Sequence, residues 1–137
     1  MNFKPKNTPQ LSPYMTVIDA QESIDFYKKA FGFVIEEVVK SEDGKPQHVS
    51  MKKDDALIMF CPEGAYGTTK KSPKTHGIEM PINMYIYCQD AGKLYAQAIL
   101  NGAKSLIEPH DSFWGDRFCS VLCIDNYEWS FATLLKK

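Results

Sequence analysis

The sequence predicts an α+β fold made of two tandem βαβββ modules, whose curved mixed sheets surround a shared cavity and carry their helices on the outside. The first observation is a repeat, in which a strand-like run followed by Asp-Ala occurs at Asp19 and again at Asp90, 71 residues later. The second is that a helical pattern follows each Asp-Ala and ends near Gly32 or Gly102. The third is that strand-like runs follow each glycine. Because one module alone would leave a sheet face uncovered, the two are expected to pack together.

The first module is expected to cover about residues 11–62. Its first strand precedes Asp19, which is placed to cap the helix, with Glu22 three residues later as in a capping box. Apolar residues then recur at helical spacing, at Ala20, Ile24, Tyr27 and Phe31. Gly32 ends the helix, and strands are expected at 33–39, 49–53 and 56–61.

A linker or lid is expected at about 63–80, because this stretch is rich in Gly, Thr, Lys and Pro and has no clear periodicity. The second module then covers about 81–135 and repeats the first more loosely. Asp90 caps its helix, and Leu94 and Ala98 belong to its apolar stripe. Strands are expected at 104–108, 117–124 and 128–135, with a loop at 109–116.

Composition restricts the possible partners and the compartment. The chain has 137 residues, which suits one domain, and its 16 Lys and Arg balance 17 Asp and Glu, so no basic surplus favours nucleic acid. No run of about 18 apolar residues could span a membrane, and the N-terminus lacks the apolar segment of a secretion signal. The four cysteines lie in apolar runs and are expected to be buried thiols. A cytoplasmic protein is therefore predicted.

Three strings carry a resemblance to a known family. Residues 19–32, DAQESIDFYKKAFG, open the first module, and SFWGDR at 112–117 and WSFAT at 129–133 lie in the second. With the βαβββ duplication they resemble the vicinal oxygen chelate superfamily of glyoxalases, bleomycin resistance proteins and dioxygenases, and within it the PhnB-like group. The resemblance covers about residues 11–133. It implies a small-molecule ligand or substrate and a homodimer. Asn126 stands where the group has glycine, and asparagine tolerates the left-handed conformation that this turn requires.

The resemblance also implies a divalent metal in the cavity, held by His, Glu or Gln on the first and last strand of each module. Those positions fall on Ser12, Met59, Met84 and Ser130. Neutral hydroxyls bind divalent cations poorly and thioethers prefer Cu(I). No metal and no other cofactor is therefore expected, and the alternative is a metal-dependent enzyme that uses non-standard ligands.

Three residues are candidates for catalysis. His48 could be a base or a ligand at the start of a strand, or a surface histidine. Glu128 could abstract a proton if burial raised its pKa, or be an exposed glutamate. Arg117 could bind an anion bidentately at the cavity rim, or form an Asp–Arg pair beside a tryptophan plug that fixes the loop.

A second set of residues is expected to bind a ligand. The even-numbered residues of the first strand should face the cavity with hydroxyls and methionines from other strands, and Trp114 could stack on a ligand beside Asp116. The set is Tyr14, Thr16, Met59, Met84, Trp114, Asp116 and Ser130. The competing interpretation is that Met59 and Met84 fill a closed core. Three functions stay open: a metal-free small-molecule binder, which the absent ligands favour, a lyase, isomerase or dioxygenase, and a structural remnant with a filled cavity.

Overall fold

The computed structural model describes residues 2–136 and divides into two compact units. The first unit holds the residues up to Lys28 and Gly32–Ser72, and the second holds Lys29–Phe31 and the residues from Pro73 onward. The first contains β1 (Tyr14–Val17), α1 (Ala20–Phe31) apart from its last three residues, which belong to the second unit, β2 (Val34–Lys40), β3 (Pro46–Lys53), β4 (Ala56–Pro62) and a short 3-10 helix (Ala65–Gly67). The second contains α2 (Pro73–His76), β5 (Asn83–Tyr87), α3 (Ala91–Leu100), β6 (Lys104–Asp111), β7 (Asp116–Leu122) and β8 (Glu128–Leu134).

Each unit contains one four-stranded mixed sheet with the same topology. The strand order is β1-β4-β3-β2 in the first and β5-β8-β7-β6 in the second. In both, the first strand runs parallel to the last, and the other pairs are antiparallel. The α+β class and the duplicated βαβββ order are therefore confirmed, while the shared cavity stays a prediction. Within residues 2–136, no helix is long and apolar enough to span a membrane.

The local signals at the helix ends act as expected. Asp19 Oδ1 accepts a hydrogen bond from the Glu22 N–H at 2.9 Å, and Asp90 Oδ1 accepts one from the Lys93 N–H at 3.0 Å. Gly32 ends α1 in the left-handed conformation, with φ 79°. Asn126 has φ 66°, which confirms that asparagine can replace glycine in this turn.

One face of each sheet is sealed by a core. In the first unit, Tyr27 of α1 packs on Phe60, with ring centroids 5.9 Å apart, and donates a hydrogen bond to Met15 Sδ. In the second, Phe31 packs edge-on against Trp129 at 5.1 Å. α3 lies against β6, β7 and β8. Since side chains alternate along a strand, the residues between these core positions lie on the opposite face of each sheet.

The loop expected at 109–116 is shorter than predicted, because β6 continues to Asp111. Proline is tolerated at 109 because β6 is an edge strand with register shifts nearby. The turn is closed by Ser112, whose N–H and hydroxyl both donate to the Asp116 carbonyl, at 2.8 and 2.7 Å. This turn carries Trp114 beside the second sheet.

Candidate functional site

The open face of the first sheet brings together three of the expected residues. Met15, Val49 and Phe60 are at most 2% exposed and face the core, so their strand neighbours face the other way. The register places Tyr14, Met59 and Ser50 side by side across β1, β4 and β3. Tyr14, Thr16 and Met59 therefore lie together on the face opposite the core, and their role in binding a ligand stays a prediction.

A chain of three polar side chains crosses this face. Tyr14 Oη lies 2.9 Å from His48 Nδ1, and the two rings stack with centroids 5.6 Å apart. His48 Nε2 lies 3.5 Å from Glu37 Oε1. The tautomer that satisfies both contacts carries its proton on Nε2, so Nδ1 accepts a hydrogen bond from the phenol. His48 is therefore held between a donor and a carboxylate, the arrangement that orients a histidine base.

The same face opens into a cavity of about 350 Å³. Its lining comprises Pro5, Thr8, Glu36, Glu37, His48, Ser50, Leu57 and Met59. Glu36 and Glu37 both reach it because the β2–β3 register shifts between Ile35 and Glu37, and such a bulge redirects consecutive side chains. Glu36 forms an ion pair with Lys52 at 3.0 Å. Among the described residues, the lining contains two carboxylates and no Lys or Arg.

Burial raises the pKa of two groups on this face, the Tyr14 phenol and the Cys61 thiol. Loss of solvent, followed by the effect of nearby Cys61, raises the pKa of Tyr14 to about 12. Burial also raises the pKa of the Cys61 thiol. Both groups therefore stay protonated at neutral pH, so Tyr14 acts as a hydrogen-bond donor and Cys61 is not a thiolate nucleophile.

The open face of the second sheet carries an aromatic–carboxylate cluster, which we define as Tyr85, Tyr87, Trp114, Asp116 and Phe118. Asp116 Oδ2 accepts hydrogen bonds from Tyr85 Oη at 2.6 Å, from Tyr87 Oη at 2.8 Å and from Trp114 Nε1 at 3.0 Å. The Asp116 residue is only 2% exposed. Phe118 stacks on Tyr85 with ring centroids 5.9 Å apart.

These hydrogen bonds stabilise the ionised form of the carboxyl group. Donation from the Tyr85 phenol, followed by that from Tyr87 and Trp114, lowers the pKa of Asp116 against the opposing effect of desolvation. Conversely, desolvation and the bond to Asp116 raise the pKa of Tyr85 to about 12. The cluster therefore keeps one carboxylate surrounded by neutral aromatic donors at neutral pH.

The expectation for Met84 was wrong about the face on which it lies. Met84 pairs with Trp129, which faces the core, whereas Ser130 pairs with Tyr85. The residue beside Ser130 on the open face is therefore Tyr85. The 71-residue offset between Asp19 and Asp90 already relates Tyr14 to Tyr85, and this signal in the sequence could have found it. Alternation then places Tyr87 on the same face.

Ser130 lies on the open face within a short chain of polar groups. Its hydroxyl is 2.6 Å from that of Ser120 and accepts a hydrogen bond from Asn83 Nδ2 at 2.7 Å. Both serines are fully buried. Glu128 shares this face by alternation and is half-buried at the start of β8. The polar chain satisfies hydroxyls that would otherwise be buried without a partner.

Arg117 does not reach the open face, contrary to the rim expectation. It alternates with Asp116 and Phe118 along β7, so it projects to the opposite side, and its Nη1 bonds Asp111 Oδ1 at 3.0 Å. An Asp–Arg pair does exist, but its acid is Asp111, while Asp116 holds Trp114. Of the three catalytic candidates, His48 thus lies in the first unit, and Glu128 and Arg117 lie on opposite faces of the second sheet.

The residues at the four implied metal positions do not fit a divalent ion. Ser12 and Ser130 offer neutral hydroxyls and Met59 a thioether, and the strand position expected for Met84 presents Tyr85 to the open face. Burial raises the pKa of Tyr85 to about 12, which keeps its phenol protonated. Across residues 2–136, no group of three or more His, Cys, Asp or Glu could hold a metal ion.

Comparison with known proteins agrees with the fold. The sequence model described as "Glyoxalase/Bleomycin resistance protein/Dioxygenase superfamily" matches residues 10–131. The uncharacterized protein Mb0911c of Mycobacterium bovis is 30% identical over 125 residues, which cover 89% of this chain and 81% of that protein.

Solved structures are similar at lower identity. TioX from Micromonospora sp. ML1 has a TM-score of 0.74 at 17% identity, covering 93% of this chain and 99% of TioX. A glyoxalase/bleomycin resistance protein/dioxygenase family enzyme from Burkholderia phytofirmans PsJN has a TM-score of 0.72 at 16% identity, covering 90% and 97%. The duplicated fold and the matching residues place this chain in the glyoxalase/bleomycin resistance protein/dioxygenase superfamily.

Proposed function

We propose that this protein binds a small organic molecule in the cavity of the first sheet without a resident metal ion. The observation that carries the proposal is the cavity of about 350 Å³, which has Leu57 and Met59 beside Ser50 and His48. Cavities of about 300–1,000 Å³ that combine apolar walls with a few placed polar groups are typical of small-molecule sites.

The charged groups that line the cavity indicate the charge of the ligand that it binds. Glu36 and Glu37 both line the cavity. Glu36 is paired with Lys52, which lies outside the lining, and among residues 2–136 no lysine forms an ion pair with Glu37. An anionic ligand would meet an uncompensated carboxylate, and Arg117 is engaged on the other unit with Asp111. The proposal is therefore a neutral organic ligand that donates a hydrogen bond to the Glu37 carboxylate and exchanges one with the Ser50 hydroxyl.

Filling the cavity should abolish binding. Thermal-shift screening against catechols, glyoxalase hemithioacetals, fosfomycin and bleomycin is expected to favour the neutral catechols, because ligand binding stabilises the folded state by mass action. Calorimetry with the best compound should then show affinity at least tenfold lower in Met59→Trp, whose indole occupies the cavity. Met80→Trp, a methionine outside the lining, is the matched control. A flat screen contradicts the proposal, as does a stoichiometric divalent metal whose removal by chelation abolishes binding.

A second candidate function is acid–base catalysis on the bound molecule. The observation that favours it is the Tyr14–His48–Glu37 chain, in which a carboxylate and a phenol orient one imidazole. Because Nδ1 accepts from Tyr14 and Nε2–H faces Glu37, His48 takes a proton through Tyr14: the phenol gives its proton to Nδ1 while it accepts one from a ligand hydroxyl or carbon, as isomerase and lyase reactions require.

Substitution of His48 separates catalysis from binding. In His48→Gln, turnover of a compound identified by the screen should fall by about 10²–10⁴-fold, since that is the usual contribution of a general base. Calorimetric affinity for the same compound should change less than tenfold. His76→Gln, which alters an exposed histidine of α2, should leave both values unchanged. Equal loss of binding and turnover in His48→Gln would contradict a role in the chemical step.

Three further expectations belong to the proposal. A homodimer is supported by the edge strand β2, which exposes Val34, Ile35 and Val39 and would be covered by a second copy. A cytoplasmic location is supported by the four cysteines, all of which are free thiols. Membership of the PhnB-like group is supported by Trp114 and Asp116, which act together within the SFWGDR string.

A further inference from the structure

Among the described residues, neutral side chains are the hydrogen-bond partners of the carboxylate in the aromatic–carboxylate cluster. Asp116 is 2% exposed, and its Oδ2 accepts hydrogen bonds from two phenols and an indole. Within residues 2–136, no Lys, Arg or His forms an ion pair with it, and the neighbouring Arg117 is bound to Asp111 at 3.0 Å. A buried charge is usually paired with an opposite charge. The cluster therefore holds a net negative charge that a bound cation could balance.

The aromatic rings around this carboxylate remain open to solvent. Tyr85 is 40% exposed, Tyr87 is 61% exposed and Trp114 is 48% exposed. All three side chains donate to one oxygen, so their polar groups meet at Asp116. The Tyr85 and Tyr87 ring centroids are 5.6 Å apart with the planes inclined at 66°, and those of Trp114 and Phe118 are 5.3 Å apart and inclined at 63°. Several non-parallel aromatic rings are therefore gathered around one carboxylate.

The chemistry of these groups selects a cation. The face of an aromatic ring is electron-rich and attracts cations, most strongly for Trp and also for Tyr. A phenol that donates to a carboxylate becomes more electron-rich, so Tyr85 and Tyr87 gain attraction for a cation from their bonds to Asp116. Methylated ammonium groups suit such sites because they are weakly hydrated and their methyl groups contact the rings. An anion would instead be repelled by Asp116.

We propose that the aromatic–carboxylate cluster binds a small organic ammonium compound, with its methylated nitrogen against Tyr85, Tyr87 and Trp114 and its charge balanced by Asp116. This site lies on the second sheet and uses none of the residues that line the first-sheet cavity. The inference therefore does not rest on the function proposed above.

Choline and its neutral isostere, 3,3-dimethyl-1-butanol, test the proposal on the full chain. The two compounds have the same shape and differ by one charge. Calorimetry at constant ionic strength should show saturable binding of choline with at least tenfold higher affinity than the isostere. Trp114 is 48% exposed and Trp129 is 2% exposed, so choline should also change the tryptophan fluorescence, and Trp114→Phe should remove that change. Equal affinity of the two compounds, or no saturable binding of choline, would overturn the proposal.

Substitutions test whether choline binding depends on the aromatic rings and on the charge of Asp116. Asp116→Asn should reduce the preference for choline to less than about threefold, provided that circular dichroism shows an intact fold. If that variant unfolds, substitutions of Tyr87 test the site instead. Tyr87→Leu removes a ring and should weaken choline binding at least tenfold. Tyr87→Phe retains the ring and should weaken binding less than Tyr87→Leu does. Tyr66→Leu changes an exposed tyrosine of the first unit and should have no effect. An equal loss in Tyr66→Leu and Tyr87→Leu would overturn the assignment.

The proposal specifies a free small molecule. Phosphatidylcholine vesicles present the same ammonium group on a lipid surface. They therefore distinguish binding of a free ammonium compound from binding of a lipid headgroup. Sedimentation with these vesicles in the absence of binding to free choline would overturn the small-molecule site.

Discussion

Replacing Phe131 by alanine is expected to lower the free energy of unfolding by about 3–5 kcal/mol, the usual range for removing a buried phenylalanine ring. Phe131 lies in β8, is fully buried, and packs edge-on against Phe31 with ring centroids 5.1 Å apart. The loss combines the transfer free energy of the ring with the cost of the cavity left between close-packed neighbours. Urea denaturation followed by circular dichroism measures the change.

Phe113→Ala is the matched control for this substitution. Phe113 is 97% exposed, so the same loss of a ring should change the unfolding free energy by no more than about 0.5 kcal/mol. Similar values for the two variants would contradict the assignment of Phe131 to the core.

Ser130→Ala is expected to lower the unfolding free energy by about 1–3 kcal/mol, although it removes only one oxygen atom. Its hydroxyl lies 2.6 Å from that of Ser120, and both residues are fully buried. The variant therefore leaves the Ser120 hydroxyl without this partner in a place that water does not reach, and an unsatisfied buried group retains its full desolvation cost. Urea denaturation again measures the change.

The double variant Ser120→Ala/Ser130→Ala tests this explanation. Since it removes both hydroxyls, its loss of stability should be clearly smaller than the sum of the two single losses. Strictly additive losses would show that the two hydroxyls do not depend on each other.

The sequence predicted the fold more completely than the site. The helix caps at Asp19 and Asp90 and the left-handed turn at Asn126 depend on residues within a few positions of each other. They could therefore be predicted from the sequence. Alternation along a strand is also local, and it puts Tyr14 and Met59 together on the face opposite the core. The predicted length of the edge strand β6 was too short. Pro109 indicates a loop unless the strand is known to lie at the edge of a sheet, where proline is tolerated.

Several site residues could not be placed from the sequence. Glu37 reaches His48 only because β2 contains a register shift beside Glu36, and nothing in a glutamate-rich strand shows which of two adjacent carboxylates will face a partner strand. Arg117 was expected at a cavity rim, yet the register of β7 turns it away from Asp116 and toward Asp111. A change of one residue in register moves a side chain to the opposite face.

The duplicated βαβββ order, the ends of the helices and the superfamily could be predicted from the chain alone, since each depends on local hydrogen bonding, periodicity or a repeated string. The folded structure was needed to establish that Tyr85 rather than Met84 stands beside Ser130. It was also needed to establish that two phenols and an indole share the carboxylate of Asp116. The physical reason is that hydrogen-bond register between strands distant in the chain is selected by packing of the whole sheet, which no short segment specifies.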